Sequence, residues 1–217
     1  MKTADRRQEL REKLLEAAER TISRRGLAAL RARDLAKEVG CALGAIYNVF
    51  PDLDSLIFEV NSRTLTAIER HFQKLVAAND ERSPSRAAAI ANLDRLAYGY
   101  LEFAAKNQLR WRALFDHRME EGHKIPKWYR DRQRILFSLV ETPLSTLRPE
   151  LNDEERATFA RTMFAAIHGV VSLGLDQKLM PLPLAVLRQQ LSEIFDTLGA
   201  GLAPQKTPRS PGKQAGP

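Results

Sequence analysis

Apolar residues recur at three- and four-residue spacing along almost the whole chain, a period that points to helices throughout. Leu10, Leu14, Leu15, Ala18 and Ile22 line one face of a first helix over residues 6–25. Gly26 follows the basic pair Arg24-Arg25, the usual chemistry of a helix end. Short helices over 31–38 and 42–49 come next, with Gly40 between them. Three compact helices within 50 residues, the last two joined by a glycine-centred turn, match a helix-turn-helix. Composition agrees: 30 leucines and 28 alanines stand against 8 valines, so helix formers outweigh β-branched residues, which argues against an all-β fold.

Pro51 ends that unit, and Asp52 is placed to cap a fourth helix reaching about residue 79. Ser83-Pro84 reads as the start of a fifth helix to 107, apolar around most of its circumference except for Asn92, Arg95, Glu102 and Lys106. A sixth covers 109–119, and a seventh covers 127–147 with an interruption at Pro143. Asn152 with Glu155 approximates a capping box for an eighth helix to 175. The last, over 184–202, carries Leu184, Leu187, Leu191, Ile194, Phe195, Leu198 and Leu202 on one stripe. The expected fold is therefore all-α. Residues 1–50 form an N-terminal three-helix helix-turn-helix domain, 51–202 a larger helical domain, and 203–217, with four prolines, a disordered basic tail.

The net charge of +7 is uneven. Residues 1–50 carry 11 Lys/Arg against 7 Asp/Glu, residues 51–202 carry 20 of each, and the tail adds three basic residues with no acid. That distribution describes a polyanion-binding head on a neutral body. The one cysteine, Cys41, rules out an intramolecular disulfide framework and reads as packing. No Cys/His cluster has zinc spacing, so no metal or other cofactor is expected. No signal peptide or membrane-spanning run is legible, which makes a cytoplasmic protein the expectation.

From Arg33 to Leu56 the chain reads RDLAKEVGCALGAIYNVFPDLDSL. Arg33, Asp34, Leu35, Ala36, Gly40, Gly44, Ile46, Tyr47, Phe50 and Leu56 stand in the register of the tetracycline-repressor-like (TetR) transcriptional regulators, which this stretch resembles. The resemblance extends over about residues 8–60. The physics of the matches is independent of it. Gly40 permits the tight turn. Gly44 and Ala45 leave the front of the third helix without bulk, so its backbone can approach a major groove. Tyr47 either reaches a phosphate or packs with its hydroxyl at the surface. Arg33 either meets a phosphate or pairs with Asp34 or Glu38. Leu43 and Asn48 face outward, suited to a thymine methyl and an adenine edge. Arg31 stands where the family commonly has Thr, which adds a cation and loses a cap. Ala42 replaces the usual Ser cap and Leu53 the customary Lys, so Arg6, Arg7, Arg31 or Lys37 would have to restore the lost phosphate contacts. The expected DNA-binding set is Arg31, Arg33, Ala42, Leu43, Gly44, Ala45, Tyr47 and Asn48.

The resemblance implies a ligand cavity and a homodimer interface in the larger domain. Ala165, Gly169 and Ser172 share one face of the eighth helix and allow a second helix to approach closely. Phe164-Ala165-Ala166-Ile167-His168-Gly169 resembles a C-terminal subgroup of the family marked by Trp-x-x-x-His-Gly, with Phe164 in the Trp position. His168 is either a ligand contact or a satisfied core residue. Asp94 lies in an apolar sector of the fifth helix and needs a partner, either an arginine of the body or a polar group of the ligand. Tyr98, Tyr100, Leu101, Phe103, Trp111, Phe115, Trp128, Phe137 and Phe164 are the candidates to line the cavity, and they suggest a mainly apolar molecule.

The resemblance implies a dimeric, ligand-responsive repressor of a near-palindromic double-stranded DNA operator, released by a small effector, and that is the expectation. The alternatives are an activator of the same fold and an all-α enzyme acting on an apolar substrate. His117 and His123 flank Glu120-Glu121 like a metal or catalytic cluster, but the spacing is not His-Glu-x-x-His, and Gly122 with Pro126 suggests a loop. No phosphate loop, nucleophile elbow or dinucleotide fingerprint appears. The expectation is a protein that is not an enzyme.

Overall fold

The computed structural model describes residues 3–77, 85–119, 121–176 and 182–201. Among them nine α-helices follow one another: α1 (Thr3–Arg25), α2 (Ala32–Val39), α3 (Leu43–Tyr47), α4 (Leu53–Ala77), α5 (Arg86–Lys106), α6 (Gln108–Asp116), α7 (Lys127–Leu147), α8 (Asp153–Gly174) and α9 (Leu184–Gly201). No strand occurs among the described residues. The expected all-α fold is what forms. No described helix is long and apolar enough to cross a membrane. The Ser83-Pro84 helix start, Glu120, Leu202 and the 203–217 tail lie outside the described residues.

Local chemistry sets the helix ends. Asp52 Oδ1 accepts a hydrogen bond from the Ser55 amide at 2.6 Å, capping α4 as its position suggested. Asn152 and Glu155 form the full reciprocal capping box of α8. For α5 the cap is Ser85, whose hydroxyl accepts from the Ala88 amide at 3.0 Å. The expected break in α7 is absent, because the helix runs unbroken through Pro143. Proline forfeits one backbone hydrogen bond there. Leu144 and Leu147, fully enclosed between neighbouring helices, hold the segment helical all the same.

Two apolar cores result. In the head, Leu14, Ala18, Ile22, Leu35, Ile46 and Phe50 pack together, and Leu56, Ile57 and Val60 of α4 complete the cluster. Each of the larger side chains contributes roughly 1.5–3 kcal/mol by its burial, and Ala18 less. Ala113 of α6 joins the same cluster, so the body reaches into the head. The body core collects Phe72, Leu96, Leu101, Trp111, Leu144 and Val171 with Leu187, Leu191 and Phe195 of α9. The leucine-rich stripe of α9 is thus divided: these last three face their own subunit, whereas Leu184 is 51% exposed. Ion pairs tie α1 to the long helix and to α6, Arg63 meeting Glu12 and Glu19, and Arg110 meeting Glu19.

Candidate functional site

Two places stand out: the face of α3 in the head, and a cavity in the body. Gly40 closes α2 with φ 76°, a left-handed conformation that costs glycine little, and its amide and that of Cys41 both bond to the Ala36 carbonyl. The chain then turns directly into α3. Ile46, Val49 and Phe50 face inward and are buried. Ala42, Leu43, Gly44, Tyr47 and Asn48 face solvent, and Ala45 is half-buried at the edge. Leu43 and Tyr47 are 38% and 49% exposed, a poor arrangement for an apolar and an aromatic side chain unless something covers them. Ala42 provides no side-chain cap, leaving the leading amides of α3 open.

The adjoining α2 and the residue before it carry cations. Arg33 and Lys37 are exposed on α2, and neither has an acidic partner among the described residues. Neither pairing considered for Arg33, with Asp34 or with Glu38, occurs among the described ion pairs, and Glu38 instead meets Arg20 at 2.9 Å. Arg31 makes no side-chain cap, and its guanidinium donates to the carbonyls of Ala28 and Leu30 at 2.8 and 3.1 Å. An exposed apolar and aromatic ridge beside a helix that carries two exposed cations without acidic partners has the chemistry to meet a phosphate backbone.

The cavity, about 200 Å³, lies among α4 to α9. Leu65, Ile68 and Phe72 supply the α4 wall, Leu93, Leu96, Ala97 and Tyr100 that of α5, and Leu114 and Phe115 that of α6. Tyr129, Gln133, Leu136, Phe137 and Val140 come from α7, Met163, Phe164 and Ile167 from α8, and Phe195 from α9. Of the residues the sequence singled out, Phe115, Phe137, Phe164 and Tyr100 are in this wall. Asp94, Tyr98, Leu101, Trp111, Trp128, Phe103 and His168 are not. Periodicity marks apolar faces but cannot separate a wall from a core; on α7 the sequence singles out Phe137, and Tyr129, Gln133, Leu136 and Val140 on the same face join it in the wall.

The residues outside the wall have other places. Leu101 and Trp111 are buried in the core. Asp94 sits at the α5–α9 seam; burial raises its pKa first, then the neighbouring Asp196, while Arg188 opposes both. The Arg188 guanidinium lies 4.0 Å from the centre of the Tyr98 ring. Trp128 is 45% exposed, near Arg11 and Arg63 rather than in the cavity.

Behind the cavity runs a polar chain. Trp111 Nε1 donates to the Tyr100 hydroxyl at 2.9 Å, and that hydroxyl lies 2.8 Å from His168 Nδ1. Burial pushes the Tyr100 hydroxyl well above the ordinary phenol range, so it stays protonated and donates to His168. The imidazole lies against Phe115, with ring centres 4.1 Å apart, and burial lowers its pKa. Below about pH 6.5 the unfolded chain therefore takes up a proton that folded His168 resists. Stability contributed by a neutral His168 is complete above that pH and lost as the pH falls toward the lowered value. The melting temperature should fall more steeply between pH 7.5 and 5.5 in the wild type than in His168→Gln, whose amide oxygen can still accept from Tyr100. Parallel pH profiles would show that His168 does not titrate as the fold implies.

His117 and His123, read from the sequence as members of a loop, are drawn onto one carboxylate. His117 Nε2 lies 2.8 Å from Asp54 Oδ1, and His123 Nδ1 lies 2.8 Å from Asp54 Oδ2. Asp54 and His117 are buried, at 11% and 6% side-chain exposure. Among the described residues no group of three or more His, Cys, Asp or Glu could hold a metal ion. The cluster is a clasp between the first turn of α4 and the segment after α6. No local pattern could announce a contact spanning more than sixty residues of chain.

Comparison with known proteins agrees with this geometry. Residues 14–60 match the bacterial regulatory proteins of the tetR family, and residues 93–198 match the tetracyclin repressor-like C-terminal domain. No curated protein matches the chain in sequence. Among solved structures, a protein of unknown function from Rhodococcus sp. RHA1 superposes with a TM-score of 0.68 at 20% identity, over 89% of this chain and 95% of that one. A TetR transcriptional regulator from Rhodococcus sp. RHA1 gives 0.56 at 18%, over 92% and 99%. RolR in complex with its ligand resorcinol gives 0.64 at 13%, over 95% and 98%. At these identities the structural likeness shows a shared fold.

Proposed function

Because the chain belongs to the tetracycline-repressor family of bacterial regulatory proteins, we propose that it acts as a homodimeric, ligand-responsive repressor of transcription. Membership in a family of regulators sets aside the enzyme alternative. Leu43 and Asn48 read bases, while Arg31, Arg33, Ala42, Gly44, Ala45 and Tyr47 let the helix approach and hold the backbone. Two heads spaced by about 34–36 Å enter successive major grooves of a near-palindromic operator. This role makes the protein cytoplasmic.

The outer faces of α8 and α9 support the dimer. Ala165 and Ala166 are exposed, space is open beside Gly169, and Leu173 and Leu184 are 53% and 51% exposed. Apposing these small and apolar residues across a two-fold axis would cover them.

The observation that carries the ligand response is the position of α6. Leu114 and Phe115 line the cavity, Ala113 packs in the head core, and His117 just beyond holds Asp54 at the start of α4. A small apolar effector that fits the cavity best when α6 is displaced shifts the heads away from the operator spacing. The shift is limited by how much better it binds that state. RolR, of the same fold and solved with resorcinol, supports a small-molecule effector.

Fluorescence anisotropy tests the reading, using DNA from the gene's own upstream region against a random duplex over a salt series. The expected result is binding that survives the competitor and weakens linearly in log salt. Equal affinity for both duplexes would count against a specific operator there. Deleting the gene should raise transcription from that region; a fall would make the protein an activator.

A further inference from the structure

The cavity wall holds no Asp, Glu, Lys, Arg or His side chain, so a charged molecule would lose its hydration with nothing to replace it. Its nitrogen- and oxygen-bearing side chains are Tyr100, Tyr129 and Gln133. The Tyr100 hydroxyl is already committed, accepting from Trp111 and donating to His168. Tyr129 and Gln133 are different. They stand four residues apart, one turn of α7, and neither side chain has a hydrogen-bond partner among the described residues. Tyr129 is only 4% exposed and lines the cavity, so its hydroxyl has a hydrogen-bond donor to offer a molecule placed there. Burial pushes that hydroxyl up to about 12, so at neutral pH it remains a donor.

The size and lining narrow the choice further. A cavity of about 150 Å³ lined by aliphatic and aromatic side chains accommodates benzene, so about 200 Å³ here admits one ring with a short substituent. Phe115, Phe137, Phe164 and Phe195 present rings suited to edge and face contact with another ring.

Taking the cavity as the effector site, as the proposed function does, we propose that the effector is a neutral, phenol-like single-ring molecule whose hydroxyl is held between Tyr129 and Gln133. That hydroxyl accepts from Tyr129 and donates to the Gln133 amide oxygen, while the ring occupies the aromatic wall. The location also suits a signal. The Tyr129 ring packs on Phe58 with centres 4.9 Å apart, and Phe58 packs on His117 at 5.0 Å, so a molecule touching Tyr129 bears on the clasp at Asp54.

Calorimetric titration with 4-ethylphenol, ethylbenzene and 4-ethylbenzoate tests this on the full chain, beside Gln133→Leu and Tyr129→Phe. The wild type should bind 4-ethylphenol about tenfold or more tightly than ethylbenzene and should show no heat with the benzoate. Gln133→Leu should weaken the phenol about tenfold yet leave ethylbenzene within about twofold. Tyr129→Phe removes one oxygen and should do the same; thermal melts of both variants show that they fold. Equal affinity for phenol and ethylbenzene, preference for the benzoate, or no binding of the phenol would overturn the assignment. Operator anisotropy on the same preparations separates the two readings. Specific DNA binding without phenol discrimination would sink the ligand chemistry alone. Discrimination without DNA binding would sink the regulator and leave the cavity chemistry standing.

Discussion

Gly44→Asp is expected to abolish specific operator binding while leaving the melting temperature within about a degree or two of the wild type. The two halves of that expectation come from opposite effects of one charge. Beyond its own turn of helix, a β-carbon at Gly44 meets no atom within 4 Å, and an acid in the first turn of a helix is favoured by the open amides there. The fold therefore has no reason to object. Facing outward beside Leu43 and Tyr47, the same carboxylate stands against the phosphates and base edges the helix must approach. Like charges brought together at an interface cost several kcal/mol, so affinity should drop more than about 100-fold. Tyr47→Ala should act in the same direction by a smaller amount, about tenfold, since it removes a contact without adding repulsion. Anisotropy with a competitor duplex and a thermal melt of each variant suffice. A Gly44→Asp protein that is stable and still binds its operator would show that α3 is not the reading element.

Asp54→Ala should have the largest effect on stability. The substitution strands His117, at 6% side-chain exposure, without its partner, and frees His123, which at 37% is partly solvated and matters less. Losing a hydrogen bond to a charged group and leaving a buried ring unsatisfied together cost about 3 kcal/mol. For a chain of this size that is a fall in melting temperature of roughly 10 °C. Asp54→Asn keeps the shape and one acceptor and should lose less than half as much. A cycle of Asp54→Ala and His117→Ala isolates their contact, and a coupling of about 1 kcal/mol or more is expected. Additive losses would mean the two groups are neighbours without an interaction.

Residues such as Gly40, Gly44, Ile46 and Phe50 made the head legible, because a helix-turn-helix is built from contacts close in sequence. The buried and exposed sides of α3 follow from spacing alone. Most helix ends were legible for the same reason: Asp52 and the Asn152–Glu155 pair act on amides two or three residues away. Pro143 misled because its local cost is overridden by Leu144 and Leu147, buried among helices distant in sequence.

What the chain determined by itself is therefore its helices, its turn chemistry and the face that α3 presents, all products of interactions within a few residues. Tertiary structure decided which aromatics enclose space and which fill it. It left Tyr129 and Gln133 facing a cavity while Trp111 and Tyr100 satisfied one another, and it carried His117 and His123 onto Asp54. Those outcomes depend on how six helices close around a common volume. A linear pattern records which side of each helix is apolar, but not what will stand opposite it.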